Sequence, residues 1–138
     1  MGAATETGKQ ALNAVHNRLV FNRRVEVLSA HLAGAIPDKG TVLDVGCGDG
    51  QIAVNIMARR PDLEFTGVDV LVRPVTHIEV IAYDGNALPF ADKSFDFATI
   101  VDVLHHTDDP AAVLSETMRC VRKGIIIKDH LSESGLDH

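Results

Sequence analysis

A glycine-rich segment carries the most specific chemistry in this sequence. It reads VLDVGCGDG over residues 42–50, so a short apolar run leads into three alternating glycines and then a helical pattern. Glycine permits positive φ and lets a ligand approach the backbone without a Cβ clash. The first turn of the following helix is expected to offer unpaired N–H groups and a partial positive charge to an anion. The segment therefore predicts a site for a nucleotide or a related cofactor.

The details of this segment narrow the choice of ligand. The dinucleotide fingerprint G-x-G-x-x-G would need glycine at Gln51, but the glycine falls one residue earlier, at Gly50. No GK[ST] follows, which excludes a phosphate-cradling P-loop. Asp44 lies two residues before the first glycine, where a carboxylate would repel a pyrophosphate and suits an ammonium group.

Two further aspartates follow predicted strands. Asp69 ends the second strand, 21 residues after Gly48, where a carboxylate can accept both ribose hydroxyls of a nucleoside. Asp84 follows the third strand, and it could accept from an adenine amino group while a nearby backbone N–H meets a ring nitrogen. Asp is also a common turn former, but acids at successive strand ends favour a binding site.

Short apolar strands alternating with helices must position these residues. The spacing of apolar residues predicts one or two helices over 9–35, then strands over 41–45, 63–68, 78–82, 95–101 and 125–128, with helices over 51–60 and 110–123. Asp109 is the predicted N-cap of the last helix and Pro110 its first residue. This alternation predicts an α/β fold, a doubly wound and mostly parallel sheet whose ligands bind beyond the carboxyl ends of the strands.

Length and composition set the class of protein. The 138 residues suffice for one domain, which we divide into an N-terminal helical segment, 1–40, and an α/β domain, 41–138. The net charge of −6 argues against nucleic acid as a partner, and no apolar run is long enough to span a membrane. Cys47 and Cys120 lack disulfide or metal-site spacing, so we expect a reduced, cytoplasmic protein without a bound metal.

Four segments in order resemble the class I S-adenosylmethionine-dependent methyltransferases. They are VLDVGCGDG (42–50), FTGVDV (65–70), YDGNALPFADKSFD (83–96) and ATIVDVLHHTDDP (98–110). The resemblance implies the Rossmann-like methyltransferase fold and S-adenosylmethionine as the cofactor. By position it assigns Asp44, Gly46, Cys47 and Gly48 to the methionine end, Asp69 to the ribose, Val70 to the adenine face, Asp84, Gly85 and Asn86 to the adenine edge, and Val101 and Asp102 to the sulfonium and amino end.

The sequence departs from the family pattern in two places. Asp84 follows Asp69 by only 15 positions, so we expect a loop where the family usually has a helix. The chain also ends ten residues after Lys128, with five of the family's seven strands present and the final strands missing. We expect a fragment of a longer protein that retains the cofactor site, and we expect strand 125–128 to be an apolar edge through which oligomers could form.

His105 and His106 follow the fourth strand and are candidates for a general base, since the pKa of histidine lies near neutrality. Adjacent side chains point apart in an extended loop, so we assign the pair no metal. Asp129-His130 lies at the same edge after the fifth strand, and Arg23-Arg24 could grip an acidic substrate or form a solvated helix face.

Three functions remain open from the sequence. The first is transfer of a methyl group to an unidentified, small-molecule acceptor. The second is a non-catalytic module of the same fold that binds the cofactor or a partner. The third is a NAD-dependent oxidoreductase, against which Asp44 and Gln51 argue.

Overall fold

Strands and helices alternate along the chain, as the sequence predicts. The computed structural model describes residues 23–129, so the predicted helix before residue 23 and the candidate His130 lie outside the described residues. In chain order the elements are α1 over 23–35, β1 Gly40–Val45, α2 Gln51–Arg59, β2 Leu63–Asp69, β3 Val80–Ala82, β4 Phe95–Val101, a 3₁₀ turn Leu104–His106, α3 Pro110–Cys120 and β5 Val121–Lys128.

The five strands form one parallel sheet in the order β3-β2-β1-β4-β5. The chain builds outwards from β1 through β2 to β3, then returns to the other side of β1 for β4 and β5. Strand order therefore reverses between β1 and β4, and ligands bind at such a reversal in open α/β sheets. The glycine-rich segment leaves β1 at this point, which confirms its predicted place in the fold.

Each face of the sheet has its own core, which confirms a doubly wound architecture. Successive residues of one strand serve opposite faces, because side chains alternate along a strand. Val42 and Phe97 pack with Leu32 of α1 and Ile56 of α2. Leu43 and Ala98, one residue further along, pack with Val113 of α3 on the other face.

Three element boundaries differ from the sequence prediction by two residues or more, and the largest difference is that β5 begins at Val121 rather than at residue 125. The third strand begins at Val80 rather than at residue 78, because Ile78 packs beneath the glycine-rich segment instead of joining the sheet. The last helix ends at Cys120, three residues early, and Val121 already has extended backbone. Arg122 binds Asp96 at the start of β4, which keeps this part of the chain in β5.

The buried face of α3, the segment before β3 and the length of the helices also bear on the sequence prediction. The helical spacing predicts a buried face of α3 made of Val113, Leu114, Thr117, Met118 and Val121. Met118 is 65% exposed, so its place in this prediction was wrong, and Cys120 is buried together with Val113 and Thr117. The segment between Asp69 and Val80 contains no helix, as predicted. Within residues 23–129, no helix is long and apolar enough to cross a membrane.

Candidate functional site

The glycine-rich segment turns sharply because its three glycines all adopt left-handed backbone. Their φ angles are 73° at Gly46, 60° at Gly48 and 84° at Gly50. A Cβ on Gly46 would also collide with Cγ2 of Val103. Residues with a side chain rarely adopt these angles, which explains why glycine occupies every second position of this segment.

The amides of this segment are directed inwards. Gly46 and Cys47 both donate to the carbonyl oxygen of Val68, at 2.8 and 3.2 Å. Gly48 donates to Oδ2 of Asp69 at 2.8 Å. These bonds tie the loop to the end of β2, and the loop is therefore held in shape by the chain's own acceptors.

The N-terminus of α2 has its own anion. The Asp49 carboxylate accepts from the N–H of Gln51 at 3.1 Å. Our expectation that the amides at this helix start are unpaired and wait for an anionic ligand was therefore wrong for Gln51. A pyrophosphate here would meet the carboxylates of Asp49 and Asp69, which argues further against a dinucleotide.

Asp44 lies beneath the loop rather than on the cleft wall. It is 4% exposed, and its Oδ1 accepts from the Thr99 hydroxyl at 3.0 Å. Burial raises the pKa of Asp44 to about 7, and the negative charge of Asp69 acts in the same direction. The site thus contains a buried carboxylate whose charge a nearby cation would stabilise.

Cys47 is a structural thiol. Its Sγ packs against Gly67 of β2, where a Cβ would collide with it. Burial, with the charges of Asp44 and Asp69 adding to it, raises the pKa of Cys47 to about 12. A thiol that keeps its proton at neutral pH is a poor nucleophile, so the proximity of Cys47 to the cleft gives it no reactivity.

A cleft of about 480 Å³ opens beyond the carboxyl ends of the strands. Eight of the predicted site residues line it, namely Gly46, Asp69, Val70, Asp84, Gly85, Asn86, Asp102 and His106. Five others do not line it and lie beneath or beside it, namely Asp44, Cys47, Gly48, Val101 and His105. The structure thus gathers most of the predicted set around one cavity of the size that holds a small-molecule cofactor.

The wall of this cleft is strongly acidic. Carboxylates come from five residues, which are Asp69, Asp84, Asp102, Asp108 and Asp109, and no lysine or arginine of the described chain lines the cleft. Concentrated negative charge in a concave site raises the local concentration of cations and repels anions. The cleft is therefore suited to a positively charged ligand.

Asp84 is held by its own turn. Its Oδ1 accepts from the N–H groups of Asn86 and Ala87, at 2.8 and 3.0 Å. These two bonds lower the pKa of the Asp84 carboxyl, so it stays ionised. Among the described residues, Oδ2 accepts no hydrogen bond and is left for a ligand.

Arg119 of α3 fixes the loop that carries Asp84. Its guanidinium donates to the carbonyl oxygens of Leu88 and Phe90, at 3.0 and 2.8 Å, and to Glu116 at 2.6 Å. Glu116 in turn accepts from the N–H of Leu88 at 3.0 Å. In the sequence Arg119 is a cation near a helix end, and nothing there indicates this role, because its partners lie about thirty residues away.

Asp102 stands at the end of β4 in left-handed backbone, with φ of 54°. Its N–H donates to the carbonyl oxygen of Lys128 at 2.7 Å, which holds the turn. Oδ1 is buried and accepts no hydrogen bond from the described residues, and the Lys128 ammonium is 3.9 Å from it. Left-handed residues other than glycine gather at functional sites, and this one borders the cleft.

The two histidines do not point apart as expected. They lie in a 3₁₀ turn, and their ring centroids are 3.8 Å apart. His106 lines the cleft, whereas Nδ1 of His105 is 2.5 Å from Oδ1 of Asp129. The tight turn after β4, which the sequence does not signal, explains both positions. No group of metal-ligating side chains occurs within residues 23–129.

Sequence analysis also missed Arg73 and the far wall of the cleft. The Arg73 guanidinium lies against Gly48, with Nη2 3.6 Å from the position of a Cβ there. The short loop between β2 and β3 brings it to this place. The cleft is also lined by Val103, Thr107, Asp108 and Val113. The Asp109-Pro110 start of α3, visible in the sequence, was the signal that could have located them.

Comparison with known proteins shows similarity to methyltransferases. Residues 43–127 match the sequence profile of a methyltransferase domain. The chain is 31% identical over 112 residues to 27-O-demethylrifamycin SV methyltransferase of Amycolatopsis mediterranei, covering 70% of this chain and 41% of that protein. It is 35% identical to demethylmenaquinone methyltransferase of Renibacterium salmoninarum, covering 74% and 45%.

A solved structure, that of the PH0226 protein from Pyrococcus horikoshii, superposes with a TM-score of 0.68 at 26% identity, covering 78% of this chain and 57% of that one. The chain thus spans about half the length of the proteins it matches. The profile covers well over half of the chain and includes the glycine-rich segment, both strand-end acids and the turn after β4. On this match and on the shared fold, the chain belongs to the class I S-adenosylmethionine-dependent methyltransferases.

Proposed function

We propose that the acidic cleft binds S-adenosylmethionine and that the whole protein transfers its methyl group to a small molecule. The observation that carries this proposal is the cleft lining, in which five carboxylates meet no lysine or arginine of the described chain. The donor is a sulfonium with an ammonium group, so it carries two positive charges that such a lining favours. NAD carries a pyrophosphate, which the same lining repels.

The proposed role of each residue follows from the atoms it leaves available. Asp69 accepts from the N–H of Gly48 on Oδ2, at 2.8 Å, and from that of Leu71 on Oδ1, at 3.5 Å, and a carboxylate has further lone pairs for ribose hydroxyls. Asp84 Oδ2 would accept from the adenine amino group, with Val70 and Gly85 flanking the ring. Asp102 Oδ1 and the buried Asp44 are assigned to the ammonium end.

The carboxylate of the donor needs a cation, because the amides of Gly46, Cys47 and Gly48 are already bonded within the chain. Arg73 lies against Gly48 and is the cation we assign to it. This role was not part of the sequence prediction. It explains how an acidic site would also hold the one negative group of its ligand.

The proposed contribution of the chain to the reaction is to position the two reactants, and the chain provides no covalent nucleophile. When bound, S-adenosylmethionine supplies a methyl group already activated by the sulfonium. The inward-bonded loop and the Arg119-fixed loop present rigid walls, and alignment of two reactants in a rigid site can contribute roughly 7–11 kcal/mol to rate acceleration.

His105 is the proposed general base for an acceptor hydroxyl or amine. The Asp129 carboxylate, with Oδ1 2.5 Å from Nδ1, holds the ring in its orientation. The ring of His106 lies against that of His105 at a tilt of 43°, and His106 lines the cleft, where it would pack against the reactants. His105→Gln should lower turnover without lowering affinity for S-adenosylhomocysteine, and equal losses of both would remove the base role.

The proposal is tested by calorimetry with S-adenosylmethionine, S-adenosylhomocysteine and NAD on the same chain. We expect saturable binding of the first two and none of NAD. Asp84→Asn should weaken S-adenosylhomocysteine binding roughly tenfold by losing a charged acceptor. The matched control is Asp38→Asn, an exposed aspartate at the opposite end of the sheet that should change nothing. A folded protein that binds none of the ligands at millimolar concentration would contradict the proposal.

Small-molecule acceptors are favoured by two relatives, 27-O-demethylrifamycin SV methyltransferase and demethylmenaquinone methyltransferase, and by the acidity of this chain. Cytoplasmic location remains a proposal that the two free thiols support. We also propose self-association through the outer edge of β5, which is unpaired among the described residues. Sedimentation equilibrium is measured over a roughly 100-fold range of protein concentration. If only monomer is found, even at the highest concentration, the association is contradicted.

A further inference from the structure

A second cavity, of about 510 Å³, lies next to the acidic cleft. We call it the basic chamber. Arg23, Arg24 and His31 of α1 and Lys128 of β5 supply its polar lining, and Val27 and Leu28 are among its apolar residues. Asp102 lines both the chamber and the cleft, so the two cavities meet at this residue.

The charge of the chamber is opposite to that of the cleft. Three permanent cations and one histidine line it, against the single carboxylate of Asp102. This is notable in a chain with a net charge of −6, whose acids outnumber its bases by 19 to 13. The two cavities therefore sort ligands by charge, with cations favoured on one side of Asp102 and anions on the other.

The cations of the chamber are available to a ligand. The guanidinium groups of Arg23 and Arg24 make no hydrogen bond or ion pair with residues 23–129, whereas Arg60, Arg119 and Arg122 are all engaged by carboxylates. Lys128 reaches Asp102 only at 3.9 Å and is 47% exposed. Arginine binds carboxylates and phosphates through two parallel N–H groups, so the pair of guanidinium groups suits an oxyanion.

The apolar part of the chamber defines the rest of its ligand. Val27 is 52% exposed, and Leu28 and Ile52 add further apolar surface between α1 and α2. A ligand that uses both kinds of surface has an apolar body with an oxyanion at one end. Its other end would reach Asp102, the residue that borders the donor cleft.

We propose that the basic chamber binds the methyl acceptor, and that this acceptor is an apolar molecule with a carboxylate or phosphate group. The inference rests on the proposed function, since it assigns the second substrate of the same reaction. The oxyanion is anchored by Arg23 and Arg24, and the nucleophilic end lies at Asp102 beside the cleft. An acidic acceptor thus stays separate from the acidic donor site that would repel it.

The test uses four probes with the same eight-carbon tail, which are octanoate, octyl phosphate, octan-1-ol and octylammonium. Each is titrated by calorimetry into the chain saturated with S-adenosylhomocysteine, at fixed low salt. We expect octanoate or octyl phosphate to bind at least about tenfold more tightly than octan-1-ol, as charged hydrogen bonds imply. The tighter of the two identifies the oxyanion. Octan-1-ol binding equally well, or octylammonium binding more tightly, would overturn the proposal.

Variants locate the binding. Arg24→Gln and Arg23→Gln should each reduce affinity for the anionic probe several-fold and leave octan-1-ol affinity unchanged. Arg59→Gln, an exposed arginine of α2 that does not line the chamber, is the matched control. Anion affinity insensitive to both chamber variants would overturn the proposal.

S-adenosylhomocysteine binding, measured separately, distinguishes the two hypotheses. If it is absent while the anionic probe binds, the proposed function fails alone. If it is present while the anionic probe does not bind, the present inference fails alone.

Discussion

The substitution Asp44→Asn tests the origin of the acidic site most directly. Asp44 is 4% exposed and accepts a hydrogen bond from Thr99, which an asparagine oxygen can also accept. The variant therefore removes a buried charge and preserves shape and partner. We expect it to stabilise the fold while weakening the binding of a cationic ligand, a trade that functional residues commonly show.

The size of the stability difference between Asp44→Asn and the wild type follows from the pKa of Asp44. Burial raises it from about 3.8 to about 7, and each unit corresponds to about 1.4 kcal/mol. Between these values the folded chain keeps a proton that the unfolded chain has released, so the stability of the wild type falls as pH rises. Above pH 7 the fall levels off. The advantage of Asp44→Asn should therefore grow by roughly 2–3 kcal/mol from pH 5 to pH 8.

The assay is urea unfolding of both proteins at half-unit intervals from pH 5 to pH 8.5. Glu64→Gln, which neutralises an exposed carboxylate of β2, is the control and should show no such pH-dependent advantage. A difference between Asp44→Asn and wild type that stays constant over this range would refute the reasoning. The same variant should bind S-adenosylhomocysteine more weakly at pH 8, and unchanged affinity would remove Asp44 from the ammonium end.

Four further predictions concern residues in the cleft and around it. Arg73→Gln should weaken S-adenosylhomocysteine binding in calorimetry but not the binding of 5′-methylthioadenosine, which lacks the amino-acid end, and Arg59→Gln should affect neither; equal losses for both ligands would contradict the carboxylate role. Gly46→Ala should lower the free energy of unfolding in urea by at least about 1–2 kcal/mol, since alanine is strained at φ of 73° and its Cβ would also collide with Cγ2 of Val103. Arg119→Gln should lower the melting temperature and expose the loop around Asp84 to faster hydrogen exchange, because two carbonyl oxygens lose their donor. The Cys47 thiol should react with iodoacetamide at pH 7.5 far more slowly than free cysteine, because its pKa is about 12; a rate equal to that of the free amino acid would be inconsistent with this burial.

The features of the fold that depend on neighbouring residues could be predicted from the sequence. Apolar runs of strand length located β1, β2 and β4, and the glycines at 46, 48 and 50 are left-handed, as their spacing requires. Asp109 caps α3 by accepting from Ala112 at 3.0 Å, as the Asp-Pro pair predicts. These features depend on neighbours within a few residues, and such neighbours are visible in a sequence.

Features that depend on distant partners were not predictable. The amides of Gly46 and Gly48 turn inwards because β2 presents an acceptor to each, and that pairing exists only after the sheet forms. Arg122 looks like a helix-terminal cation in the sequence, but Asp96 draws it into β5. The close contact of the His105 and His106 rings likewise depends on a 3₁₀ turn with no local signal.

If the cleft binds the donor as we propose, its carboxylate wall has a consequence for turnover. Methyl transfer converts a sulfonium into an uncharged thioether, so the spent donor carries one positive charge fewer than the fresh one. A wall rich in carboxylates loses more attraction for the spent molecule than a neutral wall would. The side chains that gather the donor would thus also hasten its exchange, and the loop bonded to β2 would keep its shape while the cleft empties and refills.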